Sequence, residues 1–503
     1  MNDPTPAPIS DSPITLLRGG WLAAWDGQQH QIIPRGGIAF QDKRILYAGP
    51  HYEGRADVEI DNPGWFLCPG FINLHGHIGV ELMAAVVDVP PTARFAPSLE
   101  FVRESPLFLP RSLTRAEQQQ SAEFSLVQMV KCGATTIVDV VGSGPIWWLG
   151  NAPDDEEMLV DTVGKIGCRA YLALGFRSAR VYQNADHSWG WYEVPELGME
   201  GLRVAREFAR RYRGSYDGRV QVLLTPHAVD ISSPALLQAT LDAARSDDLL
   251  IQIHAAQYPF ENQYVRAHYD DTPIGYLHRF GFLGPDITLG HCVFTSGHPA
   301  VGGDPDRDLN LIAESGSSVA HSPLTFARVG EALHTLPRYL DHGINVGIGC
   351  DIWPADIIAE MRLAWFMGKL MGEQAERPTC REVFHAATVG SANALQRPDL
   401  GRLTQGARAD IVCIDLARYH FGPVLDPIRS LVTCGTGQDV DTVFVDGQKI
   451  VQGGRVLNAD EEQLHAAAPG ILQSMAHAAS ARDPLHRNLE TILSTPADER
   501  RAE

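Results

Sequence analysis

The sequence lacks the features that mark three broad classes of protein. Its 41 basic residues are outnumbered by 61 acidic ones, a net charge of −20, so it has no basic excess with which to displace counterions from a nucleic acid or an anionic membrane. Its eight cysteines form no C-x-x-C pair, and several lie in apolar segments such as LGHCV, which predicts reduced, buried thiols in a cytoplasmic protein. No apolar run reaches the roughly 18 residues of a membrane-spanning helix. What remains favours a globular protein that binds a small neutral or cationic molecule.

The middle of the chain alternates between short apolar segments and helical patterns. Eight segments have the character of strands, namely WFLCPGFINLHGH, ATTIVDVV, RAYLALGF, VQVLLTPHAV, LLIQIHAA, ITLGHCV, SSVAHSP and NVGIGCDI. The segments between them, such as GLRVAREFARRYRG and PALLQATLDAARS, are typical of helices. Eight apolar strands with intervening helices predict an α/β fold, a (β/α)8 TIM-type barrel over residues 65–399.

The two ends of the chain have a different character. Residues 14–64 and 400–456 show hairpin patterning with glycine-rich turns, so we predict that both ends together build a small β-sandwich domain beside the barrel. Residues 1–13 lack the basic start and apolar stretch of a signal peptide and are expected to form a disordered tail. Residues 457–503 are rich in Ala, Glu and Arg and are expected to form a C-terminal helix and a tail.

The segment GFINLHGH places two histidines one residue apart at the end of a strongly apolar run. If Trp65–Leu74 is a strand, His75 and His77 point the same way, because side chains on a strand alternate between its two faces. Two imidazoles on one face can hold a metal ion. For an isolated H-x-H the commoner explanation is that one histidine packs and the other is solvated, so the rest of the chain must decide.

Polar residues stand at the carboxyl ends of nearly all the predicted strands. They are His75, His77, Asp139, His227, His254, His291, His321 and Asp351. The loops at the carboxyl ends of barrel strands converge on one mouth, and that mouth carries the chemistry. Six of the 19 histidines of the chain lie at these positions, which packing of a core would not select.

These residue types suit a catalytic divalent ion with one position left open for water. His75, His77, His254 and Asp351 can supply nitrogen and oxygen ligands from strands one, five and eight, with His291 facing the open position. A bound ion lowers the pKa of its water, and Asp351 can accept the proton of that water and pass it to a leaving group. The ion is predicted to be Zn²⁺, although Fe²⁺, Mn²⁺ and Co²⁺ also bind this set of ligands.

The motifs along the chain jointly resemble the amidohydrolase superfamily. They are PGFINLHGH, KCGATTIVD, TPHA, IQIHAAQ, LGHCV, AHSPL, NVGIGCD, ATVGSANALQRPDLGRLTQGARADIV and VFVDGQKI, and the resemblance as a whole covers about residues 14–456. The resemblance is to the branch that holds cytosine deaminase, S-adenosylhomocysteine and guanine deaminases and the triazine hydrolases. It implies a metal-dependent barrel hydrolase with a β-sandwich, which agrees with the fold predicted above, and it implies a homo-oligomer.

The resemblance also assigns roles. It makes His75, His77, His254 and Asp351 metal ligands, with His291 orienting or polarising the attacked group. Members with two metals often bridge them through a carboxylated lysine on a barrel strand, but no lysine lies between residues 165 and 369 here. A single metal ion is therefore expected.

One position departs from this pattern. The branch commonly has H-x-x-E after strand five, where the glutamate shuttles a proton during ring deamination, but this chain has Gln257. An amide cannot donate and retrieve a proton at neutral pH. The substitution favours an amide, urea, carbamate or thiocarbamate substrate, with deamination or dechlorination of an aminated N-heterocycle as the alternative. Glu261 is a further candidate proton carrier, and a non-catalytic relative acting in assembly is an alternative of another class.

Other residues are candidates for contact with the substrate. His227 either lines the pocket or is a buried, backbone-bonded histidine, and Asp139 is expected to bond neighbouring strand ends. His321 is more consistent with a supporting role than with direct catalysis. Aromatic residues in the loops predict an apolar or aromatic substrate, and they include Trp147, Trp148, Trp189, Trp191, Tyr192, Phe326 and Trp353. The proline-rich segment 80–114 is predicted to be a lid.

Overall fold

The structure is a computed structural model. It describes residues 12–79, 99–104, 113–140, 153–184, 186, 188–328, 330–333 and 336–481. The predicted substrate contact Trp148 and most of the predicted lid lie outside the described residues. None of the helices in these ranges is both long enough and apolar enough to cross a membrane.

One nine-stranded sheet combines the two ends of the chain. Its strands are β1 (Thr15–Trp25), β2 (His30–Pro34), β3 (Gly37–Gln41), β4 (Arg44–Gly49), β5 (Val58–Pro69), β16 (Ile411–Asp415), β17 (Val440–Val445), β18 (Gln448–Gln452) and β19 (Arg455–Val456). Their order is β19-β18-β17-β16-β5-β1-β3-β4, with β2 paired to β1. The antiparallel pair β5 and β16 joins the early half to the late half. Apolar side chains such as Leu22, Ile38 and Ile411 form a core of their own in this accessory domain.

Eight parallel strands close into the barrel. They are β6 (Phe71–Gly76), β7 (Ala134–Asp139), β8 (Arg169–Leu172), β11 (Val220–Val222), β12 (Ile251–Ala255), β13 (Ile287–His291), β14 (Ser318–His321) and β15 (Asn345–Ile348). They form two four-stranded sheets, β11-β8-β7-β6 and β12-β13-β14-β15. A bridge between Leu224 and Ile251 joins the two sheets at one seam, and a bridge between Gly76 and Asp351 joins them at the other. The short strands β9 (Ala179–Gln183) and β10 (Trp189–Glu193) form a separate hairpin.

Helices follow the barrel strands and flank the accessory sheet. The described ones are α1 (Leu99–Glu104), α2 (Arg115–Lys131), α3 (Pro153–Ile166), α4 (Pro195–Tyr212), α5 (Ser215–Gly218), α6 (Pro234–Asp247), α7 (Pro259–Tyr269), α8 (Pro273–Arg279), α9 (Arg307–Ser315), α10 (Pro323–Ala327), α11 (Leu336–Asp341), α12 (Ile357–Met371), α13 (Cys380–His385), α14 (Ser391–Ala394), α15 (Pro427–Cys434) and α16 (Glu461–Ala481). A π-helical turn, Ala386–Gly390, joins α13 to α14.

The ends of several helices are set by local sequence. Thr114 and Glu117 form a capping box at the start of α2, and Thr379 and Glu382 form another at the start of α13. Asp356 caps α12 by accepting hydrogen bonds from the first amides of the helix. These side chains satisfy main-chain N–H groups that have no partner within the helix.

The predicted strand Trp65–Leu74 is wrong as a single element. The chain leaves the accessory sheet at Pro69, turns at Gly70 and begins the barrel strand at Phe71. Gly70 allows this crossing because a Cβ atom there would lie 2.1 Å from Thr135 Oγ1. The predicted domain boundary at residue 64 accordingly falls inside β5, which runs on to Pro69.

A buried ionic group connects the barrel to the accessory sheet. Arg169, the first residue of β8, is 0% exposed, and its Nη2 lies 3.2 Å from Asp410 Oδ2 and 2.7 Å from Asp446 Oδ1. Asp410 precedes β16 and Asp446 follows β17. The two carboxylates come from the accessory domain and the guanidinium from the barrel, so the group fixes one unit against the other at the amino ends of the barrel strands.

Candidate active site

The carboxyl ends of β6 and β15 meet and bring three predicted ligands together. His75 lies near the end of β6, His77 directly follows that strand, and Asp351 comes shortly after β15. The Asp351 N–H donates to the His75 carbonyl at 2.8 Å, which aligns the two strand ends. His77 Nε2 lies 2.9 Å from Asp351 Oδ1, and His75 Nε2 lies 3.5 Å from the same oxygen.

Two overlapping groups of side chains in the described part of the chain have the spacing of a metal site. One is His75, His77 and His254, and the other is His75, His291 and Asp351. Within each group the candidate ligand atoms lie within 4.8 Å of one another. All are buried except His77, which is half-buried. The structure therefore brings together the five residues to which the sequence analysis gave metal-binding and polarising roles.

His254 is oriented by the main chain of a neighbouring strand. Its Nδ1 donates to the His227 carbonyl at 2.7 Å, which leaves Nε2 unprotonated in the neutral ring. Burial, together with the neighbouring His75 and His77 rings, lowers the pKa of His254 to about 3. The His227 ring is itself buried, and its centroid lies 5.2 Å from that of His254. His227 thus lies beside the two ligand groups and supports His254 through its carbonyl.

His291 packs directly against the proposed ligands. It is 0% exposed, and its ring centroid lies 4.5 Å from that of His75 and 5.0 Å from that of Phe326. Burial holds the pKa of His291 well below its ordinary value, so the ring is neutral at physiological pH. Neither ring nitrogen has a hydrogen-bond partner among the described residues. A neutral imidazole in this position is available to hydrogen-bond a substrate.

Left-handed backbone is concentrated at these strand ends. His227, Ala256, His291, Cys292 and Asp351 all have positive φ, between 42° and 74°. Such conformations are uncommon for residues other than glycine, cost on the order of 1 kcal/mol or more each, and cluster at functional sites.

Asp351 is an ionised carboxylate in a buried position. Although burial opposes ionisation, the His75 and His77 imidazoles beside it and the His291 ring hold the pKa of Asp351 well below its ordinary value. A buried, ionised carboxylate among nitrogen ligands favours a cation.

The loop after β12 contains Gln257, and the side chain of Glu261 in α7 hydrogen-bonds back to the main chain of this loop. Gln257 is half-buried and lies three residues after His254. Glu261 is 1% exposed, and its two carboxylate oxygens accept hydrogen bonds from the N–H groups of Ala256 at 2.8 Å and Gln257 at 2.7 Å. Because both oxygens are engaged by the main chain, the geometry favours a structural role for Glu261 over that of a replacement proton carrier.

The Glu261 carboxyl group should make stability depend on pH. Burial and the nearby charge of Asp230 raise the pKa of Glu261 to about 8, whereas an unfolded glutamate titrates at about 4.3. The folded protein therefore binds this proton more tightly than the unfolded chain does. The contribution of Glu261 to the free energy of unfolding falls as the pH rises from about 4.3 to 8. We expect the free energy of unfolding of the wild type, relative to Glu261→Gln, to be higher at pH 5 than at pH 8.5. Urea unfolding of both proteins at the two pH values checks this, and the opposite sign would contradict it.

Two other predicted substrate contacts lie near the strand ends. His321 ends β14 and is buried, which lowers its pKa to about 4, and it borders a cavity together with Leu333 and Met367. Trp353 follows Asp351 and packs on Phe124 of α2, with 5.4 Å between ring centroids. Their contact with a substrate stays a prediction.

Asp139 makes the strand-end contact that the sequence analysis expected. It ends β7, and its Oδ1 accepts a hydrogen bond from the Ile78 N–H at 3.2 Å. This bond holds the chain directly after His77.

The sequence analysis predicted only one member of an aromatic surface at the start of α7. Trp189 was expected near the mouth, but its partner Phe260 was not, and the two rings stack with centroids 4.5 Å apart. Tyr258 also stacks on Phe260, with 5.1 Å between the ring centroids. Burial, and then the charges of Asp351 and Glu261, raise the pKa of Tyr258. The sequence signal is the segment QYPF directly after strand five.

Comparison with known proteins identifies relatives over nearly the whole chain. A 5'-deoxyadenosine deaminase of Methanococcoides burtonii is 25% identical over 455 residues, which cover 89% of this chain and 95% of the relative. A 5-methylthioadenosine/S-adenosylhomocysteine deaminase of Desulforudis audaxviator is 28% identical over 439 residues, covering 85% and 92% respectively. Both relatives are named as deaminases, whereas Gln257 had suggested an amide or urea substrate for this chain.

Solved structures share the fold. An adenosine deaminase from Xanthomonas campestris with bound zinc superposes with a TM-score of 0.75 at 18% identity, covering 92% of this chain and 98% of the other. An atrazine chlorohydrolase from Arthrobacter aurescens in complex with zinc gives a TM-score of 0.72 at 23% identity, covering 91% and 100%. The barrel with an accessory domain is thus a fold found in metal-binding enzymes. A model of the amidohydrolase family matches residues 66–450, more than half of the sequence. The chain therefore belongs to the amidohydrolase family, and it is a hydrolase of that family.

Proposed function

We propose that this hydrolase uses one divalent metal ion to deaminate a small aminated N-heterocycle, with water as the nucleophile. The observation that carries the proposal is the convergence of three imidazoles and one carboxylate at the barrel mouth. Relatives named as deaminases match 89–90% of this chain. The buried, mutually supporting geometry of these side chains weighs against a non-catalytic role in assembly.

The residues fit a single zinc ion. His75 and His254 each use Nδ1 as a hydrogen-bond donor, so each directs an unprotonated Nε2 towards the common space. The His75 Nε2 is buried and faces Asp351 Oδ1 at 3.5 Å with no closer partner among the described residues, which is the position expected of a ligand atom. With His77 and Asp351 these atoms form the nitrogen and oxygen set that zinc accepts, and Fe²⁺, Mn²⁺ or Co²⁺ would also be held.

The proposed mechanism assigns each residue a task. When bound, the ion lowers the pKa of a coordinated water towards neutrality and so supplies a nucleophile. Asp351 accepts the proton from the attacking water and passes it to the departing amine. His291, a neutral and buried imidazole, hydrogen-bonds the group under attack and stabilises the charge that develops there. Gln257 hydrogen-bonds a ring nitrogen without transferring a proton.

The aromatic surface of Trp189, Phe260 and Tyr258 supports a planar substrate. Aromatic side chains favour offset stacking, and an amidine-like ring offers a flat face to such a surface. The acidic net charge of −20 is compatible with a neutral or cationic ring and gives no support for an anionic one.

A substrate screen of the zinc-loaded enzyme tests the proposal. We expect release of ammonia from aminated purines, pyrimidines or triazines at higher kcat/KM than release of amine from matched amides, phenylureas and carbamates. A chlorinated triazine included in the panel distinguishes deamination from dechlorination. Turnover confined to the amides, ureas or carbamates would overturn the proposal and establish the second candidate, which only Gln257 favours.

Changing Gln257 to glutamate should raise deamination selectively. A carboxyl group at this position can deliver and retrieve a proton, and general acid–base catalysis contributes about 10²-fold or more. We expect kcat for an aminated heterocycle to increase by at least about tenfold in Gln257→Glu, with little change for an amide or urea. Gln263→Glu, which alters an exposed glutamine on α7, is the matched control and should leave both rates unchanged. A fall in deamination in the Gln257 variant would contradict the assigned position.

Assembly and location stay predictions. We propose a homo-oligomer in the cytoplasm, and size-exclusion chromatography with light scattering measures the assembly state directly.

A further inference from the structure

Gln252 crosses the barrel interior from strand five to strand one. It lies on β12 two residues before His254, so both side chains point to the same face of the strand. Gln252 is 1% exposed. Its Nε2 donates to the Leu74 carbonyl at 3.1 Å, and its Oε1 accepts from His75 Nδ1 at 2.8 Å. The two strands are not paired with each other, so this side chain makes a contact that the sheet itself does not provide.

The amide determines which nitrogen of His75 carries the proton. Because the Leu74 carbonyl only accepts, the NH₂ group of Gln252 must face it and the amide oxygen must face the imidazole. His75 Nδ1 is then the protonated nitrogen, and Nε2 is bare in the neutral ring. Nε2 is the buried atom that faces Asp351.

Close packing leaves the His75 ring little freedom to turn. A Cβ atom at Gly290 would lie 3.1 Å from His75 Cε1, and one at Gly349 would lie 2.6 Å from His75 Cβ. Both neighbours are glycines, so main chain surrounds the ring closely and only Gln252 offers it a side-chain acceptor at Nδ1 among the described residues.

We infer that Gln252 is a positioning residue for the metal site, which holds His75 in the tautomer and orientation that present Nε2 to the ion. This inference rests on the proposed function. His254 obtains the same support from the His227 carbonyl, which no substitution of a side chain removes directly. His75 depends on a side chain, so its support can be removed and restored by mutation.

The test is metal affinity, measured by competition with a chromophoric zinc chelator. Hydrogen bonds to metal-binding histidines contribute about 10- to 100-fold in affinity. We expect Gln252→Met, which keeps the volume but offers Nδ1 no comparable acceptor, to weaken zinc binding by about that factor. Gln252→Glu should stay within about threefold of the wild type, because a buried, protonated carboxyl group can accept from His75 and donate to Leu74. The absorption spectrum of the Co²⁺-loaded protein should change in the methionine variant and be restored in the glutamate variant.

A control separates this effect from general loss of structure. Asn345 also bridges strands through its amide, donating to Ser318 Oγ and the Gly390 carbonyl at 2.9 Å each, but it lies at the first residue of β15, at the opposite end of the barrel. Asn345→Ala should lower stability without changing zinc affinity. Equal affinity in the wild type and Gln252→Met, or equal losses in the methionine and glutamate variants while both remain folded, would overturn the inference. Failure of the wild type to bind zinc would instead refute the proposed metal site.

Discussion

Replacing Asp351 with asparagine is expected to reduce kcat/KM by about 10³-fold or more while the protein still binds its metal ion. The asparagine side chain keeps the shape and an oxygen ligand, but it cannot accept the proton of the attacking water, and general base catalysis contributes about 10²- to 10⁴-fold. The three histidines, whose candidate ligand atoms lie within 4.8 Å of one another, should still hold the ion. Steady-state kinetics of the purified variant, with metal content measured on the same sample, checks both parts.

Asp356 provides a matched control for this substitution. It is a second carboxylate five residues further on, but it accepts hydrogen bonds from Ile358, Ala359 and Gly437 and caps α12. Asp356→Asn should alter stability and leave kcat within a few-fold of the wild type. Full activity of Asp351→Asn with metal bound would contradict the mechanism.

Replacing Arg169 with methionine is expected to destabilise the protein by about 3–5 kcal/mol. The change removes the only cation within hydrogen-bond distance of Asp410 Oδ2 in the described structure and leaves that carboxylate buried without its partner, whereas Asp446 Oδ1 keeps Arg408 Nη1 at 3.1 Å. Removing one partner of a buried ion pair costs more free energy of unfolding than the intact pair contributes, because the remaining charge stays buried without compensation. The shift in the midpoint of urea unfolding at unchanged slope measures the loss.

An exposed arginine gives the comparison. Arg203 pairs with Glu200 on the surface of α4, where the two side chains are 62% and 55% exposed, and such pairs contribute about 0.5 kcal/mol or less. Arg203→Met should therefore shift the midpoint very little. A loss of under about 1 kcal/mol in Arg169→Met would show that the buried group does not join the two units as described.

The fold and the central residues of the site were predictable because they depend on apolar strands that alternate with helices and on the polarity of strand ends. Each of the histidines at residues 75, 254 and 291 ends or nearly ends an apolar strand, and parallel strands in a closed barrel bring such ends to one face. The family resemblance then assigned their roles. The break at Gly70 was missed because an apolar run carries no mark of the point where it passes from one sheet to another.

Contacts across the barrel were not predictable from the sequence. Gln252 lies two residues before His254, so the sequence shows that both side chains share one face of β12. Its contact with His75 on the opposite side of the barrel depends on the closure and tilt of eight strands. The return of Glu261 to its own loop depends on the turn at Ala256, where φ is +50°, and no propensity identifies that conformation for alanine. Gln257 favoured an amide or urea substrate, whereas the relatives are named as deaminases, and only comparison could reveal those relatives.

The most direct test is anomalous diffraction at the zinc edge from crystals of the zinc-loaded protein. We predict one strong peak per chain, within bonding distance of His75 Nε2, His77, His254 Nε2 and Asp351. A peak bound by other side chains, or a second peak of equal strength beside the first, would contradict the single-metal site on which the proposed chemistry depends.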